Sequence, residues 1–366
     1  MYQWVKRLFS APEAPGATQA SQPPAAPASA APASAAPSSA APSSAMPPAN
    51  AAQLSFEQRD GVNGTYFNWL FDNADVTGLD TTPHENQVLD ALTAILASQQ
   101  SGAALVRRLP GLLPQLLQSL RSDNFSGAQL SRTISNDVVL VAAVIRMANT
   151  SFKGSGTTIT SVEHAVMLIG QEGLRHLITS VAFRPIIDLN SGQYTRLLAP
   201  RIWDQSERCA VANRMLAEAM GIDPFEAFLA GLVQNVGLIV TLRIMDQMSK
   251  GEKELGSEMF CARLVRDARI LTCSIGREWN FPESVVTAIG EQAGMRKGVP
   301  VSPLGQLLTQ SDYLSKVRIL VDNARLGQDD PVLFKGLSAQ AMACYRTLDA
   351  IEDDVPAAPA APAPAP

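Results

Sequence analysis

From Leu54 onward the chain runs in apolar stretches at helical spacing, separated by short polar breaks that carry proline or glycine. Nowhere does it sustain the residue-by-residue alternation of a half-buried strand. Tyr66, Phe67, Trp69, Leu70 and Phe71 crowd six positions ahead of the loop 72–83, an aromatic set that reads as the packed face of a small helical unit. Val88, Leu89, Leu92, Ile95 and Leu96 predict a helix from 85 to about 100, and Leu112, Leu113, Leu116, Leu117 and Leu120 resume the period after a short break. Ser126 is placed to cap a helix through 134. Asp137 caps the run 138–148, which is apolar nearly all round and is expected as a central buried helix.

Further along, Thr160-Ser161-Val162-Glu163 has the form of a capping box for a helix ending at Gly170, followed by a helix over 171–183 with Leu174, Leu177, Ile178 and Val181. After Pro185 and a polar loop through Gln193, a long helix is expected from about 201 to 220, stopped by Gly221. Asp223-Pro224-Phe225-Glu226 supplies the cap, first-position proline and third-position glutamate of another start, with 228–240 as one apolar helix. The class this predicts is all-α.

Composition changes that picture only at the ends. Between residues 11 and 50, 33 of 40 residues are Ala, Pro or Ser, as are 11 of the last 12, and these two tails hold 15 of the 25 prolines. Neither can bury a core, so both read as disordered, the first as a semi-extended spacer. The decapeptide 1–10 differs: on a helix Trp4 and Leu8 share a face, as do Val5 and Phe9, beside Lys6 and Arg7. That would suit a weak contact with a membrane surface or a partner, although a frayed terminus is the simpler expectation. No apolar h-region follows it, so it does not read as a secretion signal.

Charged residues make up 17% and the formal net charge is -5, which gives no general attraction to nucleic-acid backbones. The four cysteines, Cys209, Cys261, Cys273 and Cys344, form no C-x-x-C pair and suggest neither a disulfide framework nor a zinc knuckle, so a reducing cytoplasm is expected. The apolar runs 138–145 and 236–242 end well short of the roughly 20 residues of a spanning helix, and no transmembrane segment is expected.

Several blocks in register carry a resemblance. Leu109-Pro110-Gly111-Leu112-Leu113-Pro114, the stretch 137–149 ending in Arg146-Met147-Ala148-Asn149-Thr150-Ser151-Phe152, and Ser161-Val162-Glu163-His164-Ala165-Val166-Met167-Leu168-Ile169-Gly170 open the series. Trp203-Asp204-Gln205-Ser206, the stretch 226–237 and Trp279-Asn280-Phe281-Pro282 close it. Together they resemble the HDOD family, the HD-related output domain of bacterial signalling proteins. The resemblance implies a helical bundle of HD type over 109–315. Around it lie a small helical unit at 54–108 packed on the main domain, a helical extension at 316–352, the segment 1–10, the linker 11–53 and the tail 353–366.

Enzymes of the wider HD superfamily hold divalent metal on a histidine, an adjacent His-Asp pair and a later aspartate. By the resemblance, Gln205 stands at the first histidine and Gln234-Asn235 at the pair. Carboxamides are poor ligands beside imidazole and carboxylate, and asparagine cannot act as a base, so neither a metal nor another cofactor is expected. His84, His164 and His176 form no H-x-x-x-H or His-Asp pattern, no nucleophile elbow appears, and Gly154-Ser155-Gly156 lacks the Lys-Ser/Thr of a phosphate loop. Gln205, Gln234 and Asn235 are expected either to satisfy one another within the fold or to line a leftover pocket.

The resulting expectation is a cytoplasmic signal-transduction output module, with no catalytic residue, that acts through contacts with a protein partner. The alternatives are a divergent metal-dependent phosphohydrolase and a sensor that takes a small nucleotide in the relic pocket.

Overall fold

The computed structural model describes residues 54–71, 79–98, 192–248, 255–295 and 299–348, with isolated positions between 141 and 183. Among these residues the regular structure is helical and no strand occurs. The segment 1–10, both proline-rich tails and the expected helices within 109–134 lie outside the described residues. The described positions within 138–149 and 171–183 are helical.

Local chemistry sets the helix starts. In α1 (Phe56–Leu70) the Ser55 hydroxyl accepts the Gln58 N–H. Helix α2 (Pro83–Ala97) starts two residues ahead of its apolar period, because Thr82 and Glu85 satisfy each other's backbone N–H groups and Pro83 fits the first turn. Helix α3 (Gln193–Ala217) starts well before the expected position 201 and carries Pro200 inside it. Its cap is remote: the Asp246 carboxylate accepts the N–H groups of Tyr194 at 2.7 Å and Thr195 at 3.2 Å. A 3₁₀ turn (Glu218–Met220) and Gly221 in the left-handed region, φ 65°, end it where glycine is favoured.

Asp223 caps α4 (Pro224–Val233) by accepting the Glu226 N–H at 2.7 Å, as the motif predicts. One apolar helix was expected over 228–240, but the chain breaks at Gln234-Asn235 and resumes as α5 (Val236–Met248). Thr272 bridges the break: its hydroxyl takes the Gly237 N–H at 2.9 Å and lies 3.2 Å from the Gln234 carbonyl. Gly237 is pressed so closely on Ala268 and Thr272, and Gly231 on the backbone of Cys209 and Ala210, that a Cβ at either would collide. By length and composition the stretch Pro224–Met248 could cross a membrane, contrary to the expectation from its shorter apolar runs, yet 89% of its most apolar window is buried inside the protein. It is a core element.

Helices α6 (Glu258–Glu278), α7 (Glu283–Ala293), α8 (Pro303–Asp322), α9 (Pro331–Phe334) and α10 (Ala339–Thr347) complete the described body. Helix α3 is central, against α4, α5, α8 and α10, while α6 lies on α2, α5 and α7, and α1 lies on α8. Phe228, Phe260, Leu264, Leu307, Leu308 and Leu314 are fully enclosed in one apolar core. Helix α8 runs unbroken through residue 316, where a boundary between main domain and extension was expected.

Two motif residues that carried the resemblance have structural roles. The Asn149 side chain accepts the Ile159 N–H at 2.7 Å and donates to the Ile159 carbonyl at 2.6 Å, tying the chain back on itself. The expected cap at Thr160 is displaced by one residue, since Ser161 accepts the N–H of His164 at 3.1 Å.

Candidate functional site

The break between α4 and α5 puts Asn235 opposite Gln205 of α3. Asn235 Nδ2 donates to Gln205 Oε1 at 2.6 Å and to Ser206 Oγ at 3.0 Å. Gln205 Nε2 in turn donates to Asp312 Oδ1 at 3.0 Å and Ser315 Oγ at 2.9 Å on α8. The other carboxylate oxygen, Asp312 Oδ2, is held by Lys316 Nζ at 2.6 Å, one turn along the same helix, and Arg269 Nη2 of α6 stands 3.9 Å away. Lys316 also donates to Asn63 Oδ1 of α1 at 2.8 Å and lies over the rings of Tyr66 and Phe67. One polar chain therefore crosses from the start of α5 through α3 and α8 to α1.

Of the three positions the sequence singles out, Gln205 and Asn235 are joined and Gln234 is not. The Gln234 side chain is buried, and among the described residues no nitrogen or oxygen hydrogen-bonds to its amide. The Cys209 sulfur is its polar neighbour, placed to accept from the amide, and sulfur is a weak acceptor. A buried amide left this way costs stability.

Electrostatics at Asp312 follow from enclosure. Burial alone would raise its carboxyl, but Lys316, Arg269 and the Gln205 amide outweigh that and hold it below the usual range. Burial, reinforced by the nearby Arg269 charge, pulls the Lys316 ammonium below its ordinary value despite the attraction of Asp312.

A second buried carboxylate sits at the start of α6. Glu85 Oε1 accepts the N–H groups of Gly256 at 2.7 Å and Ser257 at 2.8 Å. Its Oε2 accepts the Ser257 hydroxyl at 2.6 Å and the Thr82 N–H at 2.8 Å. Burial would raise this carboxyl, yet the bonds from Ser257, Thr82 and Gly256 hold it below its ordinary value.

The histidines and cysteines build no site among the described residues, where no three His, Cys, Asp or Glu side chains gather as a metal would need. His176 is buried, with its ring 4.6 Å from that of Phe228 and tilted on Phe225. All four cysteines are free and buried. Burial pushes the Cys261 and Cys344 thiols up to about 12 and raises Cys209 and Cys273 as well, so none is a ready nucleophile.

Beside Asp312 and Lys316 a cleft of about 390 Å³ opens between α1, α6, α7 and α8, lined by Phe56, Arg59, Phe67, Val265 and Arg269 among others. The sequence pattern missed Asp312, Lys316, Arg269, Asn63 and Arg59. An acid and a lysine four apart on a helix ordinarily mark a solvated face. The available signal was their company: Leu308, Tyr313, Leu314 and Val317 surround the pair, and a helix apolar on several sides should bury what lies between.

Comparison with known proteins identifies the family and the fold. The HDOD domain family matches residues 106–294. An uncharacterized protein of Treponema pallidum (strain Nichols) is 22% identical over 216 residues, which span 57% of this chain and 41% of that protein, less than half its length. Among solved structures, an HDOD domain protein of Geobacter sulfurreducens superposes with TM-score 0.51 at 16% identity, covering 72% of this chain and 92% of the other. A protein of Marinobacter aquaeolei VT8, provisionally described as a signal transduction protein, does so with TM-score 0.51 at 17% identity, covering 76% and 65% respectively. At such identities these two establish the fold. With just over half of its residues inside the family match, the chain belongs to the HDOD domain family.

Proposed function

We propose that the chain is a non-catalytic signalling module of the cytoplasm, acting through contacts with a protein partner, in which an internal ammonium stands where related folds hold a metal. The observation that carries this reading is the Lys316–Asp312 pair, 2.6 Å apart and buried. By the resemblance, Gln205 and Asn235 stand at ligand positions, and both bond into the same chain that ends on Asp312. That makes Asp312 the natural counterpart of the later aspartate.

The residues present do not fit a divalent metal. Three of the four positions offer neutral carboxamides, and the fourth is a carboxylate whose free oxygen already faces a cation. Gln205 directs its N–H₂ at Asp312, so the amide oxygen, the only part that could ligate, points to Asn235. A metal entering between them would meet donors of the wrong polarity and the charge of Lys316.

Metal analysis of the full-length protein, purified without chelator and then exposed to manganese, iron and zinc, tests the reading. The expected outcome is no stoichiometric metal and no hydrolysis of bis(p-nitrophenyl) phosphate. Stoichiometric metal together with hydrolysis would overturn it in favour of a divergent phosphohydrolase.

A further inference from the structure

The cleft beside Lys316 holds two arginines that no acid contacts closely. Of the four cations that line it, Arg266 is paired with Asp267, and Arg59, Arg269 and Lys316 stand around one buried carboxylate, Asp312, which Lys316 already holds. Arg269 reaches Asp312 only at 3.9 Å and otherwise donates to the Gln292 carbonyl at 3.1 Å. Arg59 makes no ion pair among the described residues. Its Nη1 meets only the sulfur of Met295, a weak acceptor. Among the described residues the Nε–H groups of both arginines are without a partner.

Two guanidiniums so close repel each other, and each retains several donors for a planar or tetrahedral oxyanion. Asp60 and Glu258 also line the cleft, without an ion pair to either arginine, and they limit the charge that a ligand can bring to a single headgroup. Phe56, Phe67 and Val265 form an apolar wall next to these donors. The combination of a mostly apolar concavity with a few convergent polar groups is that of a small-molecule site.

We propose that this cleft binds a small organic oxyanion. Its phosphate or carboxylate head lies between Arg59 and Arg269, and its apolar part rests on Phe56 and Val265. Arg59 belongs to α1 and Arg269 to α6, so the bound anion clamps α1 onto the helical body, beside the Lys316–Asn63 bond that already joins α1 to α8. The proposal rests on the metal-free reading only in that Lys316 must neutralise Asp312.

Isothermal titration of the full-length protein at low ionic strength with phenyl phosphate, benzoate and, as a control, phenol tests it. Amide hydrogen exchange over residues 56–70 is followed in parallel, with metal content measured on the same samples. Saturable binding of at least one of the two anions but not of phenol, with slowed exchange in α1, is the expected result. Arg59→Gln and Arg269→Gln should each weaken binding tenfold or more. Arg59→Lys, which keeps the charge but loses the planar fork, should fall between, and circular dichroism checks that each variant is folded. Absence of saturable binding to the folded, metal-free protein, or binding that survives both Gln substitutions, would overturn the inference. Stoichiometric metal in a protein whose anion binding still depends on Arg59 would overturn the metal-free reading and leave this one standing.

Discussion

Glu85 and Asp312 are both carboxylates taken out of water and held below their ordinary proton affinity, but by opposite means. Glu85 is surrounded by neutral dipoles: three backbone N–H groups and a hydroxyl converge on its two oxygens. Asp312 faces charges, with Lys316 in contact and Arg269 near, and only Gln205 and Asn235 extend it as neutral relays. Dipoles of this kind fasten a loop to a helix, in this case residues 256–257 to the start of α2, and they add no net charge. Charges gathered round an acid leave an imbalance that something else can use. The first arrangement therefore reads as a staple, and the second as a charged site.

Removing one charge is the strongest way to break this contrast. Lys316→Met should destabilise the protein by about 3–5 kcal/mol, because Asp312 would stay buried with only the distant Arg269 to face it. The double variant Asp312→Asn with Lys316→Met should recover most of that loss, measured by urea unfolding of both. A double variant as damaged as the single one would mean that Lys316 acts mainly through its contacts with Asn63, Tyr66 and Phe67.

At the staple, Glu85→Ala should cost about 2–3 kcal/mol, the order expected when a charged acceptor is taken from backbone donors. No second substitution can fully rescue it, since three of the four orphaned partners are main-chain N–H groups and only the Ser257 hydroxyl is a side chain. Protease sensitivity near residue 256 should rise with the loss of stability, whereas the Lys316 variants should loosen α1 instead. Equal loosening at both places would erase the distinction.

Acid should erode both sites in the same direction. Each carboxyl binds its proton more weakly folded than unfolded. The stability it contributes is therefore complete above the ordinary carboxyl range and is lost as pH falls through the lower, folded value. Glu85→Gln and Asp312→Asn should each flatten the acid limb of stability against pH, read from thermal melts between neutral and acid pH. An unchanged acid limb in both would show that other carboxylates dominate it.

How much of this was legible depended on whether a cause lay within one helical turn. The Asp223 start was readable because cap, proline and glutamate are contiguous. The equivalent start at Thr82-Pro83-His84-Glu85 was open to the same reading, though the apolar period alone pointed two residues later. The true start of α3 was hidden, because Asp246, its cap, lies about fifty residues away. The same limit applied to the break at Gln234-Asn235. An unbroken apolar run predicts one helix, and only Thr272 from α6 shows where it parts. Gln205, Gln234 and Asn235 were singled out through the family pattern, but the ammonium that ends their polar chain was not, since Lys316 gains its meaning from Asn63 and Asp312 together.

The smallest expected effect is also the sharpest test of what Lys316 does. Restoring Gln234→His and Asn235→Asp should create no metal-dependent hydrolysis, and adding Gln205→His to complete the donor set should still yield no stoichiometric metal. The reason is not a shortage of ligands, because those three residues with Asp312 would then offer two imidazoles and two carboxylates. It is that the Lys316 ammonium stays in contact with Asp312, and a divalent ion would have to displace a charge already compensated at 2.6 Å. Combining the triple variant with Lys316→Ala should therefore bring metal uptake that the triple variant lacks, measured by elemental analysis after exposure to manganese and zinc. Uptake by the triple variant alone would show that Lys316 moves aside for a metal. It would then be a mobile side chain rather than the fixed cation of the site, and the contrast with the Glu85 staple would fail at its charged end.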